Sequence, residues 1–217
     1  MIQIVDDNLA TRTALERLLR AAGYRTQAFK SAGEFLSAGA DPAADCLVLD
    51  VQMPGMGGIE LQKAMAMGGN SLPIIFLTCH GTIPVSVQAM KAGAVDFLTK
   101  PVEKAELLKA IRTAIERRET ERQASAELQV LKDRLARLTP REMEVFVLVV
   151  RGMMNKQIAS ELGTGEQNIK IHRSHVMTKM KADTLADLVK LGERLGISGQ
   201  PPAFKSTAGQ SRAFAQL

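Results

Sequence analysis

The chain contains only two cysteines in 217 residues. Cys46 lies inside an apolar run and Cys79 just after another. Two thiols so placed suit a reducing compartment better than a disulfide framework, and a cytoplasmic location is the expectation. No apolar run approaches the length of a membrane span, and the N-terminus shows no basic-then-apolar leader, so no membrane partner is expected. No Gly-x-Gly-x-x-Gly follows the first apolar run, which argues against dinucleotide binding. A carboxylate-nucleophile phosphatase would show Asp-x-Asp after its first strand. Here Asp50 is followed by Val51-Gln52. No enzyme is expected.

What is present is a set of polar residues at the ends of short apolar runs. Asp6-Asp7 follow Ile2–Val5, Asp50 follows Cys46–Leu49, Thr78 follows Ile74–Leu77, and Lys100 comes shortly after Val95–Leu98. Helical periodicity fills the intervals. The pattern predicts strands at 2–5, 24–29, 46–50, 73–78 and 95–98. Helices are predicted near 9–22, 31–38, 58–67 and 83–92, with another from about 103. This βα alternation belongs to an open parallel sheet, which binds ligands at the carboxyl ends of its strands. Three carboxylates, a hydroxyl and an ammonium should therefore converge. Clustered carboxylates call for a cation, and hard oxygen donors suit Mg²⁺. A Lys and a Thr beside a metal-bound carboxylate are what a phosphoryl group on that carboxylate would need.

Charge is uneven. Residues 1–101 carry 8 Lys/Arg against 9 Asp/Glu, so the formal net charge of +5 arises wholly after residue 101. A polyanion partner for the second half fits this, as does a merely solvated basic surface. From about 103 no Gly or Pro interrupts the chain until Pro140. One long helix, or two in series, is predicted there. Leu128, Leu131, Leu135 and Leu138 fall at a/d spacing, open to a dimer seam or to packing on the chain's own domains. Thr139-Pro140-Arg141-Glu142 then offers an N-cap, Pro at the first helical position and a capping-box Glu. Helices are predicted at 140–150, from 155 to before Gly163, from 164 or 165 to 181, and from 184 to 195. Thr164 with Gln167 is a second possible capping box. Four short helices with a Gly-containing turn between the second and third read as a helix-turn-helix. Residues 198–217 show no periodicity and read as a disordered tail.

With Ile169 facing inward on the third of these helices, Val176 and Met180 also face inward at 100° per residue. Gln167, Lys170, Ile171, Ser174, His175 and Thr178 face outward or sideways, and Arg173 flanks the core. A basic helix with outward hydrogen-bonding side chains suits the major groove, where Ile171 would meet a thymine methyl. Asn155, Lys156 and Gln157 open the preceding helix and are placed to touch phosphates. His172 and His175 have no Cys or third His nearby, so no zinc set is read.

Five stretches carry a family resemblance: Ile-Val-Asp-Asp-Asn at 4–8, Leu-Val-Leu-Asp-Val-Gln-Met-Pro-Gly-Met at 47–56, Leu-Thr-Cys-His-Gly at 77–81, Met-Lys-Ala-Gly-Ala-Val-Asp-Phe-Leu at 90–98 and Thr-Lys-Pro at 99–101. They resemble the receiver domain of two-component response regulators. Residues 139–197 resemble the LuxR-type helix-turn-helix, and together the halves are similar to the NarL/FixJ arrangement. The resemblance implies a flavodoxin-like (βα)5 α/β receiver at 1–118 and a helical linker at 119–138. An all-α four-helix DNA-binding domain at 139–197 and a tail at 198–217 complete it. Asp50 would accept a phosphoryl group from a cognate sensor histidine kinase. Asp7, Asp50 and the Gln52 carbonyl would bind Mg²⁺, with Asp6 acting nearby. Lys100 and Thr78 would stabilise the phosphoryl group, and Phe97 would be the aromatic switch. Double-stranded DNA is the implied partner, and a homodimer is expected when the chain is phosphorylated or DNA-bound. The rival reading is a receiver that acts through protein contact or as a phosphate sink, without DNA. Three positions depart from the family's habit. Cys79 replaces a smaller residue and narrows access to the site, His80 lies with Gln52 on the rim, and Thr82 replaces an acid.

Overall fold

The computed structural model describes residues 1–39, 41–79 and 82–197. His80 and the tail 198–217, both singled out above, lie outside the described residues. The described chain forms two compact units that divide between Ala124 and Ser125.

The first unit alternates strand and helix: β1 (Ile2–Val5), α1 (Leu9–Ala21), β2 (Thr26–Phe29), α2 (Ala32–Ala38), β3 (Cys46–Asp50), α3 (Gly58–Met67), β4 (Ile74–Thr78), α4 (Ile83–Lys91), β5 (Asp96–Thr99). Helix α5 (Lys104–Leu135) begins here and is continuous. Every strand pairing is parallel, and the order is β2-β1-β3-β4-β5. This is the flavodoxin-like order, whose switch point falls between β1 and β3. The fifth strand sits one residue later than the apolar run Val95–Leu98 suggests, a shift within the usual uncertainty of element ends.

Strand side chains alternate between two cores, as a sheet covered on both faces requires. Ile2, Ile4, Val48, Ile75 and Leu77 pack with Leu15 and Leu19 of α1 and Leu107 and Ile111 of α5. Val5, Leu47, Leu49 and Phe76 pack on the opposite face with Phe35 of α2, Leu61 and Met65 of α3 and Ala89 of α4. Helix α1 starts where it does because the Asn8 side chain accepts from Ala10 N and Thr11 N, satisfying otherwise orphaned donors.

The second unit holds α6 (Pro140–Val150), α7 (Asn155–Glu161), α8 (Glu166–Met180) and α9 (Leu185–Arg194). The capping box of α6 forms as its sequence indicates: Thr139 Oγ1 accepts from Glu142 N at 3.3 Å, and Glu142 Oε2 accepts from Thr139 N at 2.8 Å. The second candidate box is absent. The N-cap of α8 is Gly165, which offers no side-chain cap, and Thr164 Oγ1 instead accepts from Asn168 Nδ2 at 3.2 Å. Gly163 makes the α7–α8 turn with φ +61, a backbone region that favours glycine. Val145, Phe146, Ile158, Ile169, Val176 and Leu188 form one core, and Leu135 and Leu138 pack against it. Those two leucines are thus occupied by the chain's own C-terminal core. At the other end of the segment read as a linker, Arg122 bonds Asp45 and the carbonyls of Pro42 and Ala44.

Candidate functional site

The sheet register assembles the first site. Val5 of β1 pairs with Leu49 of β3, so Asp6 and Asp50 follow side by side at the carboxyl edge. Asp50 pairs with Leu77, which puts Thr78 one residue beyond. Thr78 pairs with Thr99 of β5, and Lys100 comes next, its N–H donating to Thr78 O at 2.7 Å. Lys100 Nζ donates to Asp6 Oδ2 at 2.6 Å and to Asp50 Oδ2 at 2.7 Å. The remaining oxygens are also engaged: Asn8 N donates to Asp6 Oδ1 at 2.9 Å, and Gln52 N to Asp50 Oδ1 at 3.1 Å.

Asp6 is 1% exposed and Asp50 8%. Burial pulls the Lys100 pKa down, but its hydrogen bonds to Asp50 and Asp6, helped by their charges, outweigh this and raise it. Asp7 is exposed. Oxygens of Asp6, Asp7 and Asp50 all lie within 4.8 Å of one another. At such separations each carboxylate pair repels by roughly 3–4 kcal/mol at an effective dielectric near 20. Three carboxylates and one ammonium leave two negative charges uncompensated. A divalent cation with oxygen ligands matches that deficit in charge and in donor chemistry, so the residues fit one.

Around this core, Thr78 is fully buried, Gln52 is exposed and Phe97 is half-buried, its ring centroid 6.0 Å from that of Phe76. Cys79, read above as replacing a smaller residue, is exposed and free, and Cys46 is buried and free. Burial pushes the Cys46 thiol up to about 12, which leaves it inert.

Two contributors escape the motif reading. Arg12 of α1 donates Nη1 to the Asp6 carbonyl at 2.7 Å. Gly58 backs β3 so closely that a Cβ there would lie 2.2 Å from Asp50 O and 3.1 Å from Phe76 Cε1. An arginine in the second turn of the helix after an acid pair was the available signal for the first. Only the packed structure reveals the second.

In the second unit, Ile169, Val176 and Met180 are fully buried. Gln167, Lys170, Ser174, His175 and Thr178 are exposed, and Ile171 is 47% exposed despite being apolar. Arg173 is half-buried, and its Nη1 donates to Asn155 Oδ1 at 2.9 Å, joining the starts of α7 and the middle of α8. Lys156 and Gln157 are exposed, though Gln157 Oε1 accepts from Met154 N at 2.8 Å. Lys170 lies 3.8 Å from Glu166. His175 Nδ1 is 3.5 Å from Glu142 Oε1, and Lys179 Nζ donates to Glu142 Oε2 at 2.6 Å. The Lys179 bond first, then the Thr139 N–H, hold the Glu142 carboxyl down at about 2. This pair, with Arg134 Nη1 donating to Met180 O and Lys179 to Arg137 O, fixes the C-terminal end of α8. The capping-box reading found Glu142 but not its lysine.

Known proteins share both halves. Residues 2–112 match the family described as "Response regulator receiver domain", and residues 136–191 the family described as "Bacterial regulatory proteins, luxR family". Nodulation protein W of Bradyrhizobium diazoefficiens is 46% identical over 91% of this chain and 87% of its own. Among solved structures, the response regulator StyR shares 44% identity with a TM-score of 0.77, covering 89% of this chain and 98% of that one. Full-length FixJ from B. japonicum shares 41% identity with a TM-score of 0.55, covering 91% and 98%. No helix among the described residues is long and apolar enough to cross a membrane. A receiver implies a histidine-kinase partner, and a LuxR-type helix-turn-helix implies DNA binding. The chain belongs to the NarL/FixJ family of two-component response regulators, transcription regulators rather than enzymes, in which a receiver with an acidic pocket precedes a LuxR-type DNA-binding domain.

Proposed function

We propose that Asp50 accepts a phosphoryl group from a sensor histidine kinase in the cytoplasm, and that the phosphorylated chain regulates transcription by sequence-specific binding to double-stranded DNA. The observation that carries this is the bridging of Asp6 and Asp50 by one buried-side ammonium, with Asp7 exposed beside them. A carboxylate oxygen of Asp50 attacks phosphorus. The new bond is O–P, and the bond broken is P–N of the kinase's phosphoimidazole, whose electron pair returns to the ring nitrogen. Asp7, Asp50 and the Gln52 carbonyl would hold Mg²⁺, with Asp6 alongside, and the ion would supply charge neutralisation to the phosphoryl oxygens. Lys100 exchanges its Asp50 oxygen for a phosphoryl oxygen. Thr78 donates its hydroxyl to the same group, and the Phe97 ring repacks as Thr78 moves.

Output runs through α8. Gln167, Lys170, Ile171, Ser174 and His175 face the major groove, while Asn155, Lys156, Gln157 and Arg173 meet phosphates. The domains are 1–118, a helical linker 119–138, 139–197 and a tail 198–217. A second copy pairs with the phosphorylated or DNA-bound chain. Ile83, Val87 and Met90 stand exposed at spacings of four and three on α4, an apolar stripe that supports such pairing. Selection of bound sequences from random duplex DNA, with and without a small phosphodonor, tests the reading. A motif enriched only after phosphodonor treatment is expected. No enrichment in either arm would sink the DNA-output reading, and equal enrichment in both would sink phosphorylation control.

A further inference from the structure

Asp7 is the one member of the acidic triad with no hydrogen-bonding partner among the described residues. Asp6 and Asp50 each have both carboxylate oxygens engaged. The direction of the Asp7 side chain therefore follows its backbone, and that backbone begins at the Asp6–Asp7 peptide. A side chain grips this peptide: Arg12 Nη1 donates to the Asp6 carbonyl at 2.7 Å. Arg12 itself rides on a rigid support. Helix α1 is capped by Asn8 and anchored by Leu15 and Leu19 in the core. A strut thus runs from the hydrophobic core through α1 and the guanidinium to the peptide that aims Asp7.

We propose that Arg12 is a positioning residue for the divalent cation at the triad, holding the Asp6–Asp7 peptide so that the exposed Asp7 carboxylate faces Asp50. The proposal rests on the reading of the triad as a cation site. Two effects of the guanidinium oppose each other there. Its positive charge repels a cation, whereas its hydrogen bond pre-organises a ligand. The charge effect is screened by salt over about 8 Å at physiological ionic strength. Partners that orient metal ligands from outside typically contribute 10- to 100-fold in affinity. Positioning should therefore outweigh repulsion, and the two predict opposite signs when the charge is removed.

The test is calorimetric titration of the full chain with Mg²⁺ at physiological and at raised salt, for the wild type, Arg12→Gln and Arg12→Lys. Arg12→Gln is expected to bind about 10-fold more weakly, with the deficit persisting at raised salt. Arg12→Lys keeps the charge and one donor on a shorter arm, so a smaller deficit is expected. In spectra of the Mg²⁺-free protein, the Asp7 amide, part of the held peptide, should shift in Arg12→Gln. Binding by Arg12→Gln as tight as the wild type, or tighter, overturns the positioning role and leaves the triad reading intact. Should that variant fail to fold, Arg12→Lys decides, and wild-type affinity there overturns it. Failure of the wild type to bind Mg²⁺ overturns the cation reading and this proposal with it.

Discussion

The Lys100 ammonium lies 2.7 Å from Asp50 Oδ2, a residue 50 positions earlier in the chain. The same nitrogen reaches Asp6 Oδ2 at 2.6 Å. One cation therefore screens two carboxylates that the sheet forces together. A group whose folded pKa is raised, as that of Lys100 is, contributes stability in full below its ordinary value. That contribution is lost only as the pH rises through the folded value, so the bridge is intact at neutral pH.

Asp50→Asn should abolish acid-labile, Mg²⁺-dependent phosphorylation and leave the fold intact. The side chains are nearly isosteric, and Lys100 keeps its bond to Asp6. Phosphate incorporation from a small phosphodonor, read alongside thermal unfolding, checks both halves. Incorporation equal to that of the wild type would move the acceptor elsewhere.

Gly58→Ala should destabilise the receiver and disturb the acceptor. The added Cβ would sit 2.2 Å from a backbone oxygen, which cannot rotate aside as a side-chain tip would. Overpacking of this kind costs on the order of 1–3 kcal/mol. An unchanged unfolding midpoint would show that the α3 start yields freely.

Glu142 has a folded pKa of about 2 against an ordinary 4.5, so its contribution is present above 4.5 and lost as the pH falls toward 2. Glu142→Gln should lower stability at neutral pH by roughly 1.5–3 kcal/mol, the range for hydrogen bonds to charged groups. The low end is expected because Lys179 is one-third exposed and water screens the pair. Urea midpoints of wild type and variant should converge between pH 4.5 and 2. A gap that stays constant with pH would rule out the carboxylate as its source.

Neighbours on α8 should behave differently. Ile171→Ala should cost on the order of 1 kcal/mol on a preferred duplex and little on a scrambled one, because an apolar side chain reads a base or nothing. Arg173→Ala should weaken binding to both and lower the salt slope by about one ion. Asn155→Ala should reproduce part of the Arg173 effect, since it frees the guanidinium that Asn155 Oδ1 holds at 2.9 Å. Affinities across a salt series decide. Equal losses on both duplexes for Ile171→Ala would mean that Ile171 does not read bases.

The sequence by itself determined which elements form and many of their ends, though β2 and β5 start later than their runs suggest. The short apolar runs of β1, β3 and β4, the Thr139–Glu142 box and the 100° spacing of Ile169, Val176 and Met180 are local signals, set by neighbours a few residues away. They also placed each polar residue at a strand end. The strand order that sets Asp6 beside Asp50, the reach of Lys100 to both, the Arg12 grip on the Asp6 carbonyl and the tight Gly58–Asp50 approach came only from the tertiary structure. So did the choice for Leu135 and Leu138, whose heptad spacing fits a partner helix as well as the core they join, and the Lys179 partner of Glu142, 37 residues away. The physical reason is common to all. Periodicity fixes which face of an element is buried. Packing between elements distant in sequence decides what that face, and each long polar side chain, finally meets.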